Sequence, residues 1–371
     1  MTAVLEQETI DMASAHTLVM QMLKDGQATM LGVLSAVGDR LGLFESLATH
    51  GPIGSEAFAA RSGIDARYAR EWLAAMACQG YITYDGRDDA FWMTPEQRLC
   101  LVDASSPLNL TGAFAIWPVY WNNLDELTAV FRNGGGIPQD RFGQDWRCGF
   151  ERFTTPGYST FLGSTWIPAM PEVASRLAAG GSAADVGCGN GQALITLART
   201  FPHASLDGFD LHAPAIADAW NNAGEAGVAD RVNFALRDVI TGLPRQYDLI
   251  TMLDVVHDMP DPVPALAALR TALKPGGRLF VMEFNFSSDL SENIQHPMGL
   301  GAFGYSASVN YCLTTALAMG GVGTGTCMGE RTFREYAAAA GFTHVRRHDF
   351  PASPLNLFFE VWSEADERSH A

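Results

Sequence analysis

The chain has 371 residues, 47% of them hydrophobic and 18% charged, and a formal net charge of -17. This length suggests two domains or three small pieces with apolar content enough for a sizeable core. The acidic balance opposes generic attraction to nucleic acid or to an anionic membrane, and no stretch reads as a signal peptide or a membrane span.

In chain order, residues 1–24 read as one amphipathic helix behind a loose end. A second helical pattern at 28–47 is apolar on more than one face, which predicts burial. Gly51-Pro52 breaks it. Ser55 is placed to cap a short helix through Arg61, and Asp65 a longer one through Gln79, which Gly80 ends. Residues 81–84 and 91–93 read as strands around an Asp85-Gly86 turn. Helix, turn, helix and two-stranded wing predict a winged helix-turn-helix over 1–103. Its second helix offers only Arg67 and Arg70 against Asp65 and Glu71, and its wing carries Arg87 among Asp85, Asp88 and Asp89. Phosphate neutralisation needs clustered cations, so the expectation is a protein–protein role, with dimer formation, and not nucleic-acid binding.

Residues 104–175 read as helical and rich in aromatics. Trp117, Tyr120, Trp121, Tyr158, Phe161 and Trp166 are the candidates there for lining an apolar pocket; Gly134-Gly135-Gly136 marks a loop. From residue 176 strand and helix alternate. Strands are predicted at 183–187, 205–210, 231–235, 247–253, 278–284, 344–349 and 356–363, and helices near 192–200, 213–223, 262–273 and 330–340. This is an α/β pattern of a doubly wound parallel sheet. The short loop between the last two strands cannot hold a crossover helix, so one strand should run antiparallel. The segment 285–329 is a long insert containing Tyr305, Asn310, Tyr311 and Met319, which reads as a lid or binding element with a Gly-rich, hinge-like tail.

Ala184-Asp185-Val186-Gly187-Cys188-Gly189-Asn190-Gly191 is the most informative stretch. Apolar residues lead into glycines at alternate positions, and a helix follows. Such a turn lets a ligand approach the main chain and offers it free N–H groups. The dinucleotide fingerprint fails, because its third glycine would fall at Gln192. Ligands of parallel sheets bind at the carboxyl ends of the strands. At those ends stand Asp210, placed for two ribose hydroxyls, Asp238 with Val239, placed for an adenine, and the run Asp254 to Asp261. Asp185, inside its strand, is expected to hold the glycine loop through backbone N–H bonds.

The pattern Asp-x-Gly-x-Gly-x-Gly resembles motif I of class I S-adenosylmethionine-dependent methyltransferases, and residues 182–363 resemble their catalytic domain throughout. With the winged helix, the resemblance extends over nearly the whole chain to small-molecule methyltransferases whose N-terminal halves intertwine in a homodimer, such as plant-type O-methyltransferases and their actinobacterial relatives. It implies a Rossmann-like seven-stranded methyltransferase sheet, last strand antiparallel, behind the mostly helical winged domain. It implies S-adenosylmethionine, with S-adenosylhomocysteine as product, held by Asp185, Gly187, Cys188, Gly189, Gly191, Asp210, Leu211, Asp238, Val239 and Asp254. His257-Asp258 matches the dipeptide that carries the general base in that family, while the tryptophan that follows it there is Met259 here. Glu283 is a second candidate carboxylate, ranked below His257. The segment from Cys312 to Gly321, with Gly323, Gly325 and Gly329, looks like the insert of one bacterial branch.

The expected activity is methyl transfer to a small aromatic or apolar acceptor, most readily at a hydroxyl, in a cytoplasmic enzyme of secondary metabolism. Transfer to carbon, nitrogen or sulfur stays open, because the chemistry is dominated by alignment. A ligand-sensing regulator is the alternative from another class, opposed by the acidic winged helix. The six cysteines are scattered without a C-x-x-C pair and read as reduced thiols; no metal is expected. A metalloid or thiol methyltransferase is a further alternative, for which Cys148, Cys312 and Cys327 would have to converge on a soft ligand, and no close spacing supports that.

Overall fold

The computed structural model describes residues 10–363. The expected loose end at the N-terminus lies outside them. The chain divides into two compact units, one running to Asp103 and taking in Leu108–Pro118, the other comprising Ala104–Pro107 and everything from Val119. The region 104–175 is therefore shared between the units and is not a separate body.

In the first unit, α1 (Met12–Arg40) is one continuous helix where two were expected. Gly26 does not interrupt it, since a glycine inside a helix costs only about 1 kcal/mol relative to alanine. The burial expected for 28–47 fails at Met30, Val33, Val37 and Leu41, which are exposed, and holds at Leu43, Phe44 and Leu47; in the preceding stretch Leu18, Val19, Met22 and Leu23 are exposed as well. Only its last turns join the core, where Trp72 donates its indole N–H to the Leu34 carbonyl at 3.0 Å. The helices α2 (Leu43–Ala48), α3 (Ser55–Ser62) and α4 (Ala66–Gln79) then pack around Phe44, Phe58, Trp72 and Leu73. Asp65 caps α4 by accepting from the Arg67 and Tyr68 amides, and Gly80 ends it in the left-handed region. Ser55 is the first residue of α3 and makes no capping bond; Gly54 holds the cap position. Strands β1 (Thr83–Asp85) and β2 (Ala90–Trp92) form the wing, and α5 (Pro95–Leu101) follows. Both arginines of α4 are engaged, Arg67 with Glu71 and Arg70 with Asp89.

Helix α6 (Gly112–Asn122) contains the boundary between the units, at Pro118. The second unit continues with α7 (Leu124–Asn133), α8 (Gly143–Gly157), a π-helical stretch Tyr158–Trp166 and α9 (Pro171–Ala178). The sheet follows: β3 (Ser182–Val186), α10 (Gln192–Thr200), β4 (Ser205–Asp210), α11 (Ala213–Glu225), β5 (Val232–Leu236), β6 (Tyr247–Leu253), α12 (Pro262–Thr271) and β7 (Leu273–Phe284). The insert forms α13 (Leu290–Ile294), α14 (Gly301–Ala307), a π-helical turn Ser308–Cys312 and α15 (Leu313–Ala318). Helix α16 (Gly329–Ala339), β8 (His344–His348) and β9 (Asn356–Trp362) complete the unit.

The sheet order is β5-β4-β3-β6-β7-β9-β8, parallel except that β9 runs antiparallel to both neighbours. This is the seven-stranded α/β architecture expected from the alternation of elements. Side chains alternate across it. Leu249, Phe280 and Phe358 face the core with α10 and α11, while Ile250, Leu279 and Phe359 face that with α12 and α16. Burial on both faces explains why the central strands read as continuous apolar runs. Among the described residues no helix is long and apolar enough to cross a membrane.

Candidate active site

The glycine loop sits at the carboxyl end of β3. Gly187, Gly189 and Gly191 have φ of 69°, 50° and 80°, the left-handed conformation that favours glycine. Two of them are also hemmed in: a Cβ on Gly187 would lie 2.6 Å from Val255, and one on Gly191 2.6 Å from Phe234. Gly189 differs, because a Cβ there would meet nothing within 4 Å. The loop therefore presents an open stretch of main chain at Gly189, leading to the N-terminus of α10, which has no side-chain cap. That is a cradle for a polar ligand.

The loop is held differently from expectation. Asp185 makes no bond to it; its carboxylate accepts from the Thr251 hydroxyl of β6 at 2.6 Å. The loop is fastened instead to β4: the Gly187 and Cys188 amides donate to the Phe209 carbonyl at 2.8 and 3.1 Å, and Gly189 donates to Asp210 Oδ2 at 2.9 Å. Asp210 Oδ1 accepts from the His212 amide at 2.8 Å. Each carboxylate oxygen keeps a further lone pair for a ligand hydroxyl. Beside Asp210, Leu211 is 52% exposed and offers an apolar face. Asp238 is exposed and accepts from the Ile240 amide at 3.0 Å, and Val239 is buried behind it. Cys188 is packed in the core, its thiol pushed up by burial first and then by Asp210 and Asp185. One lock was not read from the sequence. Glu151 of α8 accepts from Gln192 at 2.7 Å and from Asn222 at 3.1 Å, and Asn222 also donates to the Asn190 carbonyl at 3.0 Å. Its partners are too far apart in the chain for any pattern to announce it.

A second cluster lies at the ends of β6 and β7. Asp254 has φ of 58°, unusual for a residue with a side chain. It is buried, and its Oδ1 has no hydrogen-bond partner. His257 is 1% exposed. Its Nδ1 forms a very short contact with Glu283 Oε2, and Glu283 Oε1 accepts from the Val256 amide at 2.8 Å. Glu283 thus fixes both the ring and the backbone that carries it. On the other side, Nε2 lies 3.3 Å from Asp258 Oδ1, which is shielded from solvent and receives no hydrogen bond. Burial by itself would lower the His257 pKa; Asp258 and Glu283 outweigh it and hold the imidazolium well above the usual range. Burial raises Asp254 well above the ordinary carboxylate range, and Glu283 adds to the rise.

The insert closes on this cluster. Cys312, at the end of the π-helical turn, is buried, and its thiol lies beside His257 and Asp258. Burial, then Asp258, pushes that thiol up to about 11. The Gly-rich tail is docked on the same loop, where a hinge was expected. The Val322 amide donates to the Pro260 carbonyl at 2.8 Å and the Gly325 amide to the His257 carbonyl at 3.3 Å. A Cβ on Gly325 would sit 2.3 Å from Ser308 Oγ, so glycine permits the close approach.

The aromatic candidates separate. Tyr311 is buried, stacked on Trp146 with ring centroids 3.6 Å apart and edge-on to Phe142 at 4.8 Å. Its hydroxyl feels Asp258, Cys312 and Asp210, which places it between the two clusters. Tyr120 feels Cys312 and Asp258, and Tyr158 feels Asp254 and Asp185. Those three tyrosines converge on the strand ends. Trp166 does not: it packs into the sheet core against Phe358 and Phe350, and Phe161 stacks on it. Trp117 belongs to the first unit and packs on Phe114. Trp121 and Met319 are exposed, Tyr305 accepts from Asn293 at 3.1 Å, and Asn310 donates to the Ser306 carbonyl at 2.9 Å; these bonds are local to the insert.

Comparison with known proteins agrees with this geometry. The family profile described as a methyltransferase domain matches residues 184–279, and that of an Rv2258c-like winged HTH domain matches residues 29–102. An uncharacterized protein of Synechococcus sp. is 38% identical over 103 residues, 27% of this chain and 24% of that protein. The ubiquinone biosynthesis O-methyltransferase of Pseudomonas paraeruginosa is 32% identical over 108 residues, 29% of this chain and 46% of that enzyme. The matches thus span less than half the length of these relatives. Among solved structures, mitomycin 7-O-methyltransferase aligns with a TM-score of 0.68 at 19% identity, covering 95% of this chain and 99% of that one. Human N-acetylserotonin methyltransferase, in complex with S-adenosylmethionine, aligns with a TM-score of 0.69 at 17% identity, covering 98% and 99%. Residues 184–279 thus match a methyltransferase domain, residues 29–102 match a winged HTH domain, and the chain shares the fold of these solved methyltransferases.

Proposed function

We propose that this methyltransferase-domain chain moves the methyl group of S-adenosylmethionine to a small aromatic or apolar acceptor, most readily at a hydroxyl. One observation carries the reading: Asp210 at the end of β4 reaches back to the amide of Gly189, the one loop glycine that faces open space. That arrangement presents a carboxylate for ribose hydroxyls and bare main chain for the rest of a nucleoside. The fit extends to charge. S-adenosylmethionine is cationic at sulfur and at its amino group, and the strand ends offer the buried carboxylates of Asp185 and Asp254.

Methyl transfer to a hydroxyl forms an O–C bond as the S–C bond breaks, and the hydroxyl proton must leave. His257 is the proposed acceptor, at Nε2, and the contact of Glu283 with Nδ1 supports that role by fixing the ring. A sulfonium nearby disfavours the imidazolium, so cofactor binding helps to free that base. Tyr120, Tyr158 and Tyr311 are the aromatic side chains that support an acceptor pocket at this place. The exposed apolar length of α1 supports a homodimer formed through the first unit, and the paired arginines of α4 support a protein–protein role for the winged helix. Free cysteines, three of them exposed, suit a reducing compartment such as the cytoplasm.

Calorimetry with S-adenosylhomocysteine tests the cofactor. Asp210→Ala is expected to weaken binding by about 1.5–3 kcal/mol per lost charge-assisted bond, and unchanged affinity would remove Asp210 from the site. For the base, His257→Ala is expected to lower kcat roughly 10²–10⁴-fold while cofactor affinity holds. Turnover surviving at saturation, with cofactor affinity reduced, would reject that role in favour of alignment alone or of Glu283.

A further inference from the structure

The segment between α7 and α8 is a part of the second unit that the methyl-transfer reading leaves without a role. We propose that residues 134–142 form a hinged strap over the ribose end of the cofactor site, and that Asp140 and His212 are the positioning residues that latch it. This inference rests on the cofactor reading above. His212 stands two residues past Asp210, and its amide donates to Asp210 Oδ1 at 2.8 Å. Its ring is buried, and Nε2 lies 2.7 Å from Asp140 Oδ1. The backbone that sets the ribose carboxylate therefore also carries the ring that holds the strap.

Other contacts dock the strap from the side of the insert. The Ile137 amide donates to Thr314, at 2.8 Å to Oγ1 and 3.1 Å to the carbonyl. Gly136 permits that approach, since a Cβ there would lie 1.9 Å from the Thr314 carbonyl oxygen. The Tyr311 hydroxyl feels both Gln139 and Asp210, so the middle of the strap lies beside the same carboxylate. Phe142 packs edge-on to the Tyr311 ring, with centroids 4.8 Å apart. The two ends are glycines in the left-handed conformation, Gly134 and Gly135 with φ of 73° and 83°, and Gly143, which opens α8, with φ of 70°. A Cβ on any of these three would meet nothing within 4 Å, so glycine serves the backbone there and not the packing. Loop positions of this kind absorb the dihedral change when a segment closes.

The latch is built to open. Asp140 has 79% of its side chain exposed, so the pair is half solvated and holds the strap weakly. Nδ1 of the same ring is enclosed without a partner, a cost that the closed strap bears and that water relieves once it opens. A bound nucleoside adds contacts to the closed form alone and so shifts the balance toward closure. In the sequence Gly134-Gly135-Gly136 marks only a loop; the fold shows that its first two glycines bend the chain and the third packs it against Thr314.

Surface plasmon resonance with S-adenosylhomocysteine over the full-length protein tests the latch. Asp140→Asn is expected to raise the association and dissociation rates together, each about 5-fold, the scale of one half-exposed ion pair. Kd and Tm should hardly change, because the pair is made in the closed form with and without ligand. Asp140→Glu should bring both rates back toward the wild-type values. Asp230→Asn, the same change of charge at an exposed position ahead of β5, should leave them alone. In the ligand-free protein, hydrogen exchange of the amides at 137–142 should quicken in Asp140→Asn. Unchanged ligand rates or unchanged amide exchange in that variant overturns the latch. A rise in the dissociation rate alone overturns it too, since the pair then only adds binding energy. A wild type that binds no S-adenosylhomocysteine rejects the cofactor reading, and the strap with it; binding with unaltered rates in Asp140→Asn rejects the strap alone.

Discussion

At the scale of single residues, Asp185 makes the sharpest prediction. Burial pushes its pKa up to about 7 against the Thr251 bond, with Asp210 adding to the rise. In the unfolded chain it titrates near 3.8. Between those values the folded form keeps a proton that the unfolded form has released. Stability of the cofactor-free protein therefore falls as pH rises across that window, and the loss is complete above about 7. Asp185→Asn should raise Tm at pH 8 and have little effect near pH 4, as a thermal melt series will read. Cofactor binding carries the opposite sign. A cationic ligand favours the ionised carboxylate, so affinity for S-adenosylmethionine should strengthen as pH rises through 7, with proton release visible by calorimetry in buffers of different ionisation enthalpy. Affinity that is flat across this range would mean that Asp185 does not face the ligand. The asparagine variant should accordingly be a firmer fold and a poorer binder.

At the scale of elements, the glycine loop separates space from conformation. Gly191→Ala puts a Cβ 2.6 Å from the Phe234 ring at φ of 80°, so a lower Tm is expected. Gly189→Ala has free space, pays only the left-handed strain of about 1 kcal/mol, and should fold while losing nucleoside affinity. Equal losses of Tm in the two variants would contradict the open cradle. The course of this loop was legible in the chain, because alternate glycines between a buried strand and a helix leave few other conformations; its fastening to β4 through Phe209 and Asp210, and not to Asp185, was not. The strand ends carrying Asp210 and Asp238 were legible for the same reason, as was the antiparallel β9, since its loop is too short for a crossover. Other features were not. The chain read as two helices, at 1–24 and 28–47, yet α1 runs through Gly26 between them because flanking turns outweigh one weak residue. Trp166 looked like a pocket residue and is core, because aromatic composition does not say which face of a sheet a ring covers. Cys312 was visible within the insert, but nothing local joins it to His257; the helix register does.

The whole molecule raises the question of what covers α1. A helix of 29 residues is about 43 Å long, and most of this one shows apolar side chains to solvent. A second copy of the chain is the proposed cover, and light scattering should give about 80 kDa, twice 40.0 kDa, at micromolar concentration. Leu23→Glu combined with Met30→Glu should halve that mass, since charges in the middle of an apolar interface go unpaired. A mass near 40.0 kDa for the wild type would reject the dimer.

The π-helical turn at Ser308–Cys312 has a consequence for how such a protein can change over generations. A turn of this kind holds one residue more than the α-helix around it. Losing a single codon there would restore the regular helix and swing every later side chain by about 100°, taking Cys312 from its place beside His257. The glycine loop would be untouched. A one-residue change in the length of this turn would thus reshape the surroundings of His257 and leave the strand ends as they are.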